Sequence, residues 1–111
     1  MTDAVSNLLR LRHDGAQGYV CVTSVHGVIE SQRDEMLRQI HNRSLMTVPD
    51  GMPTVWMGRE YGFVKMGRVY GPDFMLAVCN RTVCPLTGGQ SMEVDQKNYT
   101  HFLYGSTEKT L

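Results

Sequence analysis

The sequence predicts an α/β fold in which a parallel sheet is covered by helices on both faces. Two short apolar runs, 19–23 (YVCVT) and 45–48 (LMTV), have the composition of strands that are buried on both sides. Stretches with apolar residues at helical spacing separate such runs, and this alternation favours right-handed crossovers between parallel strands. The expected architecture is therefore Rossmann-like, and the 111 residues are enough for a single small domain.

Each element follows from a local signal. Helices are predicted where apolar residues recur at helical spacing, at 3–11, 31–42, 53–60 and 74–80. Strands are predicted at the apolar runs 19–23, 45–48 and 100–104. Ser31 and Asp34 form a capping-box pattern for the second helix, and Pro53 suits the first turn of the third. A turn at 68–73, a polar loop at 85–97 and the start of a further helix at 105–107 complete the chain.

Composition excludes several classes of protein. With 41% hydrophobic residues, 20% charged residues and a formal net charge of zero, the chain is neither disordered nor basic enough to suggest nucleic-acid binding. The three cysteines, Cys21, Cys79 and Cys84, lack disulfide-like regularity and are expected to be reduced thiols of a cytosolic protein. A zinc site formed by Cys79, Cys84 and a histidine is the weaker alternative.

The predicted strand ends indicate where a ligand would bind. In open parallel sheets, ligands lie outside the carboxyl ends of the strands. Small, polar or glycine-rich residues follow all three predicted strands, at 23–26 (TSVH), 49–51 (PDG) and 105–107 (GST). The sequence therefore predicts a ligand crevice at this edge of the sheet.

Asp50 and Arg68 are the strongest candidates for chemistry. Asp50 directly follows a strand, where a carboxylate can act as a general base toward a hydroxyl group. An N-cap for the next helix is an equally good interpretation. Arg68 lies in a glycine-containing turn, where a planar guanidinium can bind phosphate, although an exposed structural arginine is the commoner case. Asp73 is interpreted as a helix cap, and His26 as an acid–base group or a partly buried histidine at a helix start.

Four segments together resemble a known family. They are 19–31 (YVCVTSVHGVIES), 33–59 (RDEMLRQIHNRSLMTVPDGMPTVWMGR), 67–76 (GRVYGPDFML) and 101–111 (HFLYGSTEKTL). In this order and spacing they are similar to the WecB/TagA/CpsF family of bacterial glycosyltransferases. The strand followed by V-P-D-G-M-P and the R-V-x-G-x-D element are the most specific marks. Because family members carry a second half with further strands and helices, the resemblance implies that residues 1–111 are a single, incomplete domain that corresponds to their N-terminal half.

The resemblance implies an inverting transfer of an N-acetylmannosamine-like sugar from UDP to a lipid-linked acceptor, in teichoic acid or cell-surface polysaccharide synthesis. Asp50 matches the catalytic base, and Arg68 matches the residue that offsets charge on the departing diphosphate. Substrate-binding positions are expected at Thr23, Ser24, His26, Gly51, Gly71 and Asp73. Ser24 stands at a position where the family often has asparagine, so the donor sugar can differ.

Further expectations come from the same resemblance. No metal and no cofactor are expected, because the UDP-sugar is a substrate. The protein is expected in the cytoplasm, with peripheral membrane association through a C-terminal segment and with possible homo-oligomers. The alternative is a catalytically inactive paralogue that binds a nucleotide or a partner chain, and an unrelated α/β domain is the third hypothesis.

Overall fold

The computed structural model describes residues 1–82, 99–105, 107 and 109. Within these residues the chain forms five helices and two strands. Their order is α1 (Thr2–His13), β1 (Val20–Thr23), α2 (Val25–Arg33), α3 (Glu35–Arg43), β2 (Met46–Pro49), α4 (Met52–Glu60) and α5 (Gly71–Thr82). The α/β class predicted from the sequence is confirmed.

The two strands pair in parallel, as predicted. Val20 lies opposite Met46, and Thr23 lies opposite Pro49. The ladder extends one step before the strands begin, because Leu45 donates its N–H to the Tyr19 carbonyl oxygen at 2.9 Å. The right-handed connection expected for such a pair is long enough to hold both α2 and α3.

One face of the sheet carries the main core. Val48 of β2 packs with Val5 of α1, with Phe74 of α5 and with Val69, which precedes α5. All four side chains are buried. The partly buried residues around them sit at helical spacing, with Leu8 and Leu9 on α1 and Ala77 and Val78 on α5. Burial of these apolar stripes is what holds α1 and α5 against the sheet.

The opposite face is approached by α2. Gly27 of α2 lies so close to β1 that a Cβ atom there would be 3.0 Å from Thr23 Cγ2, and Thr23 alternates with Val22, which faces α5. The helix α4 contacts β2, and its Val55 is completely buried. The helices therefore lie on both faces of the sheet, in agreement with the prediction.

The segment between the strands differs from the prediction, because it holds two helices instead of one. Ser31 does not begin a helix: it lies in the last turns of α2, buried, and donates its hydroxyl hydrogen to the Val28 carbonyl oxygen at 2.7 Å. Asp34 is the residue that separates the helices. It has an extended backbone and caps α3 by accepting a hydrogen bond from Leu37 N–H at 3.1 Å.

The third strand, predicted at 100–104, is wrong. Residues 99–105 contain no strand. His101 instead contacts the end of α5, where its Nε2 atom lies 2.8 Å from the buried hydroxyl of Thr82. Strand propensity takes effect only where a ladder partner is available, and this contact holds the segment without one. The predicted loop at 85–97 and the middle residue of the predicted helix start, Ser106, lie outside the described residues.

Candidate functional site

The carboxyl ends of β1 and β2 meet at Asp50. In a parallel ladder, every second residue of one strand donates its N–H to the other strand, and here this series begins with Leu45. The series places Pro49 opposite the Thr23 carbonyl oxygen, but proline has no N–H group. The Thr23 carbonyl oxygen accepts from Asp50 N–H instead, at 2.9 Å. This bond anchors the backbone of Asp50 to the end of the neighbouring strand.

The carboxylate of Asp50 is not a helix cap. The N-cap of α4 is Gly51, and no side chain accepts a capping hydrogen bond there. Gly51 has φ 105° and ψ 146°, a conformation that side chains other than hydrogen strongly disfavour. The turn at Gly51 leaves the Asp50 side chain half-buried, with 32% of its surface exposed. Of the two interpretations of Asp50, the N-cap is therefore wrong.

Arg68 lies beside Asp50 because the chain returns to the end of β2. Val69 donates its N–H to the Pro49 carbonyl oxygen at 2.8 Å, which fixes the backbone next to Arg68. Arg68 Nη2 is 3.8 Å from Asp50 Oδ1, and the guanidinium carbon lies 5.1 Å from the centre of the Tyr70 ring. Because both charged groups are partly exposed, this ion pair contributes little to stability, about 0–1 kcal/mol. Its significance is positional: it places a cation and a carboxylate together.

The start of α2 forms a second side of the site. Thr23 is buried, and its hydroxyl has no hydrogen-bond partner among the described residues. Ser24 is the N-cap of α2, but its side chain makes no capping hydrogen bond. The first N–H groups of a helix have no partner inside the helix, so donors are available here, next to Thr23. His26 is exposed in this first turn.

The start of α5 lies on the β1 side. Gly71 approaches β1 closely, since a Cβ atom at this position would be 3.4 Å from Val22 Cγ1. Asp73 is exposed in the first turn of α5. The prediction that Asp73 caps this helix is wrong, because the helix begins at Gly71, before Asp73. An acidic side chain in the first turn instead stabilises the helix by complementing its dipole.

The structure therefore brings together Thr23, Asp50 and Arg68 and places the other predicted residues around them. Ser24, His26 and Gly51 sit at the starts of α2 and α4, and Gly71 and Asp73 at the start of α5. The functional roles assigned to these residues stay predictions. Sequence reasoning missed Tyr70, because a side chain two residues from an arginine in an irregular segment has no recognisable spacing.

Other expected features concern cysteines, metals and the membrane. Cys21 and Cys79 are free thiols, and Cys84 lies outside the described residues. Over the described ranges, no three histidine, cysteine or acidic side chains come close enough together to hold a metal ion. In the same part of the chain, no helix has the length and apolar character required to cross a membrane.

Comparison with known proteins identifies the family. No curated protein sequence and no solved structure matches the chain. The family model described as "Glycosyl transferase WecG/TagA/CpsF family" matches residues 1–111. This range includes both strand ends and the Asp50–Arg68 pair. The chain therefore belongs to the WecG/TagA/CpsF family of glycosyltransferases, the family that its sequence motifs resemble.

Proposed function

We propose that the edge formed by Thr23, Asp50 and Arg68 is the reaction centre of a UDP-sugar-dependent, inverting glycosyltransferase. The donor would carry an N-acetylmannosamine-like sugar, and the acceptor would be a lipid-linked sugar at the cytoplasmic face of the membrane. One observation carries the proposal: a carboxylate and a guanidinium, both reachable from solvent, lie 3.8 Å apart at the ends of two parallel strands. Membership of the glycosyltransferase family supports it.

Asp50 acts as the general base. Its carboxylate takes the proton from an acceptor hydroxyl while the oxygen bonds to the anomeric carbon of the donor. The bond between that carbon and the diphosphate oxygen breaks, and its electron pair leaves with UDP. Since attack comes from the side opposite the leaving group, the configuration at the anomeric carbon inverts. The carboxylate is free for this role because it does not cap α4.

Arg68 stabilises the departing diphosphate. Negative charge develops on the leaving oxygen, and a guanidinium fork can bind two phosphate oxygens at once. In the free protein Arg68 faces Asp50, so a bound diphosphate competes with the carboxylate for the same cation. Donor binding would thus draw Arg68 toward phosphate and leave Asp50 available to the acceptor. The Tyr70 ring limits the range of guanidinium positions during this exchange.

The start of α2 binds the donor. Unpaired N–H groups and the dipole of a helix start favour negative charge, and the Ser24 hydroxyl is available as an additional donor. Thr23 borders this region at the end of β1, and its carbonyl oxygen holds the backbone of Asp50 in place. His26 and Gly51 border this region, and Gly71 and Asp73 border the opposite side.

The decisive experiment separates binding from turnover. UDP binding is measured by calorimetry on the chain, and sugar transfer is measured with a UDP-N-acetylhexosamine and a lipid-linked acceptor. Asp50→Asn should reduce turnover by roughly 10²–10⁴, the range of a lost general base, while UDP affinity changes little. Asp14→Asn at the end of α1 is the matched control and should behave like the parent chain.

Two results would count against the proposal. Unchanged turnover in Asp50→Asn would remove Asp50 from the role of base. UDP binding without transfer by the parent chain would favour the alternative function, a module that binds a nucleotide but does not catalyse.

A further inference from the structure

Tyr70 is held by its backbone at the edge where the strands end. Val69, the residue before it, donates its N–H to the Pro49 carbonyl oxygen at 2.8 Å. The Tyr70 carbonyl oxygen accepts a hydrogen bond from Phe74 N–H at 2.9 Å. The first bond belongs to the end of β2 and the second to the first turn of α5. Because the backbone is fixed on both sides, the Tyr70 side chain starts from a defined point beside Arg68.

The side chain of Tyr70 is held at its ring and open at its hydroxyl. The guanidinium of Arg68 lies over the ring, with its carbon 5.1 Å from the ring centre. Tyr70 is nevertheless 43% exposed, and its hydroxyl makes no hydrogen bond with any residue that the structure describes. A phenol hydroxyl can both donate and accept a hydrogen bond. The ring is thus oriented by a residue of the site, and its polar group is available to a ligand.

The chemistry of a sugar diphosphate decides which group this hydroxyl meets, a step that rests on the proposed function. In that function Arg68 binds the diphosphate of the donor. The sugar of a UDP-sugar is bonded directly to the diphosphate, whereas the uracil base is separated from it by the ribose. A side chain that packs against the guanidinium of Arg68 therefore lies nearer to the sugar than to the base.

The direction of attack separates the hydroxyl from the acceptor. In an inverting displacement, the acceptor oxygen approaches the anomeric carbon from the side opposite the diphosphate. Asp50 takes the proton from that oxygen, and Arg68 holds the diphosphate on the other side. Tyr70 packs on Arg68, so its hydroxyl belongs to the side of the leaving group, next to the donor sugar.

We infer that the Tyr70 hydroxyl binds the substituent on C2 of the donor sugar and thereby selects among donors. The anomeric carbon has two neighbours in the sugar ring, which are C2 and the ring oxygen, and the oxygen carries no substituent. The substituent on C2 is therefore the ring substituent closest to the diphosphate that Arg68 holds. In an N-acetylhexosamine this substituent is an acetamido group, whose carbonyl oxygen accepts a hydrogen bond from the phenol hydroxyl.

The expected contribution is that of one hydrogen bond between uncharged groups. Such a bond typically changes an affinity by roughly three- to tenfold. The diphosphate contacts are the same for every UDP-sugar, so they cannot distinguish one donor from another. The Tyr70 hydroxyl therefore acts on the choice of donor and leaves the affinity for UDP itself unchanged.

The test compares three ligands by calorimetry on the chain: UDP, UDP-N-acetylmannosamine and UDP-2-deoxyglucose. The third differs from the second only in lacking the acetamido group on C2. Tyr70→Phe keeps the ring and removes the hydroxyl, so it should weaken binding of UDP-N-acetylmannosamine roughly three- to tenfold. Its affinity for the other two ligands should equal that of the parent chain, which also shows that the variant is folded. Tyr61→Phe removes another exposed phenol hydroxyl, at the end of α4, and should bind all three ligands like the parent chain.

Three results would overturn the inference. They are equal affinities of Tyr70→Phe and the parent chain for UDP-N-acetylmannosamine, equal losses of affinity for all three ligands, and a parent chain that binds UDP-N-acetylmannosamine no better than UDP-2-deoxyglucose. None of these measurements depends on sugar transfer, so failure here is distinguishable from failure of Asp50 as the base. A parent chain that binds neither UDP nor a UDP-sugar would contradict the inference and the proposed function together.

Discussion

Two irregular segments run close to the sheet, and they are held in different ways. Residues 68–70 cross the strand ends and are held there by a backbone hydrogen bond from Val69 to Pro49, which places Arg68 beside Asp50. Residues 99–105 lie beside β1, where His101, Phe102 and Leu103 line a groove of about 500 Å³ together with Val20 and Val22. There, a hydrogen bond between the side chains of His101 and Thr82 holds the segment at the end of α5.

The difference shows what positions a chemical group. A backbone bond to a strand end fixes the main chain, so the side chains next to it have few alternatives. A bond made by one side chain fixes only that side chain, and Phe102 and Tyr104 remain largely exposed. Changes in the first segment should therefore affect the site strongly, and changes in the second should affect it weakly.

Arg68→Ala should give the largest effect in the crossing segment. Loss of one donor to developing charge typically lowers turnover by about 10²–10³, and UDP affinity should fall as well because the diphosphate loses its cation. Arg12→Ala, on α1, is the matched control. Transfer kinetics and calorimetry measure the two effects. Equal transfer kinetics in the Arg68→Ala and Arg12→Ala variants would show that Arg68 does not stabilise the departing diphosphate.

Gly51→Ala should destabilise the turn that presents Asp50. The nearest atom to an added Cβ is 3.9 Å away, so the cost comes from the positive φ and not from a clash. Residues forced into such conformations cost about 1–3 kcal/mol in the free energy of unfolding. Gly67→Ala, with open space and no positive φ, should be neutral or up to about 1 kcal/mol more stable. Denaturant titration of both variants tests this, and similar stabilities would contradict it.

Tyr70→Leu should act on the site through Arg68. Loss of the ring removes a cation–π contact of about 0.5–1 kcal/mol, which corresponds to a roughly two- to fivefold weaker affinity for UDP. Tyr70→Phe keeps a ring face and should bind UDP like the parent chain. If the two variants bind equally, the ring does not position the guanidinium.

His101→Ala should give the smallest effect at the site. The Thr82 hydroxyl keeps the Val78 carbonyl oxygen as a partner at 2.8 Å, so the loss in unfolding free energy should be about 1 kcal/mol or less. UDP affinity should stay within about twofold, because the segment does not hold the strand ends in place. A tenfold loss of UDP affinity would instead show that residues 99–105 are coupled to the strand ends.

Local signals predicted much of this arrangement. The apolar runs placed both strands, and Pro49, Asp50 and Gly51 marked the turn where β2 ends and α4 follows. The proximity of Arg68 to Asp50 was reached only through the family resemblance. Residue spacing along the sequence could not predict this proximity, since the Val69–Pro49 hydrogen bond joins residues twenty positions apart.

The failures also have identifiable causes. Gly27 and Ser31 interrupt the apolar pattern of α2, but Gly27 is required by its contact with Thr23, and Ser31 satisfies its hydroxyl within the helix. Residues 100–104 have the composition of a strand, yet a strand forms only with a partner for its backbone. Both errors arise where tertiary contacts override local preference.

Pro49 has a consequence for how the site tolerates sequence change. Any other residue at position 49 restores an N–H group, which can take the Thr23 carbonyl oxygen that Asp50 now uses. A strand lengthened by one residue would then point the next side chain to the opposite face of the sheet. Pro49 thus fixes the residue at which pairing between the two strands ends. A single substitution there, outside the reacting groups, would turn the Asp50 carboxylate away from Arg68 while leaving the fold intact.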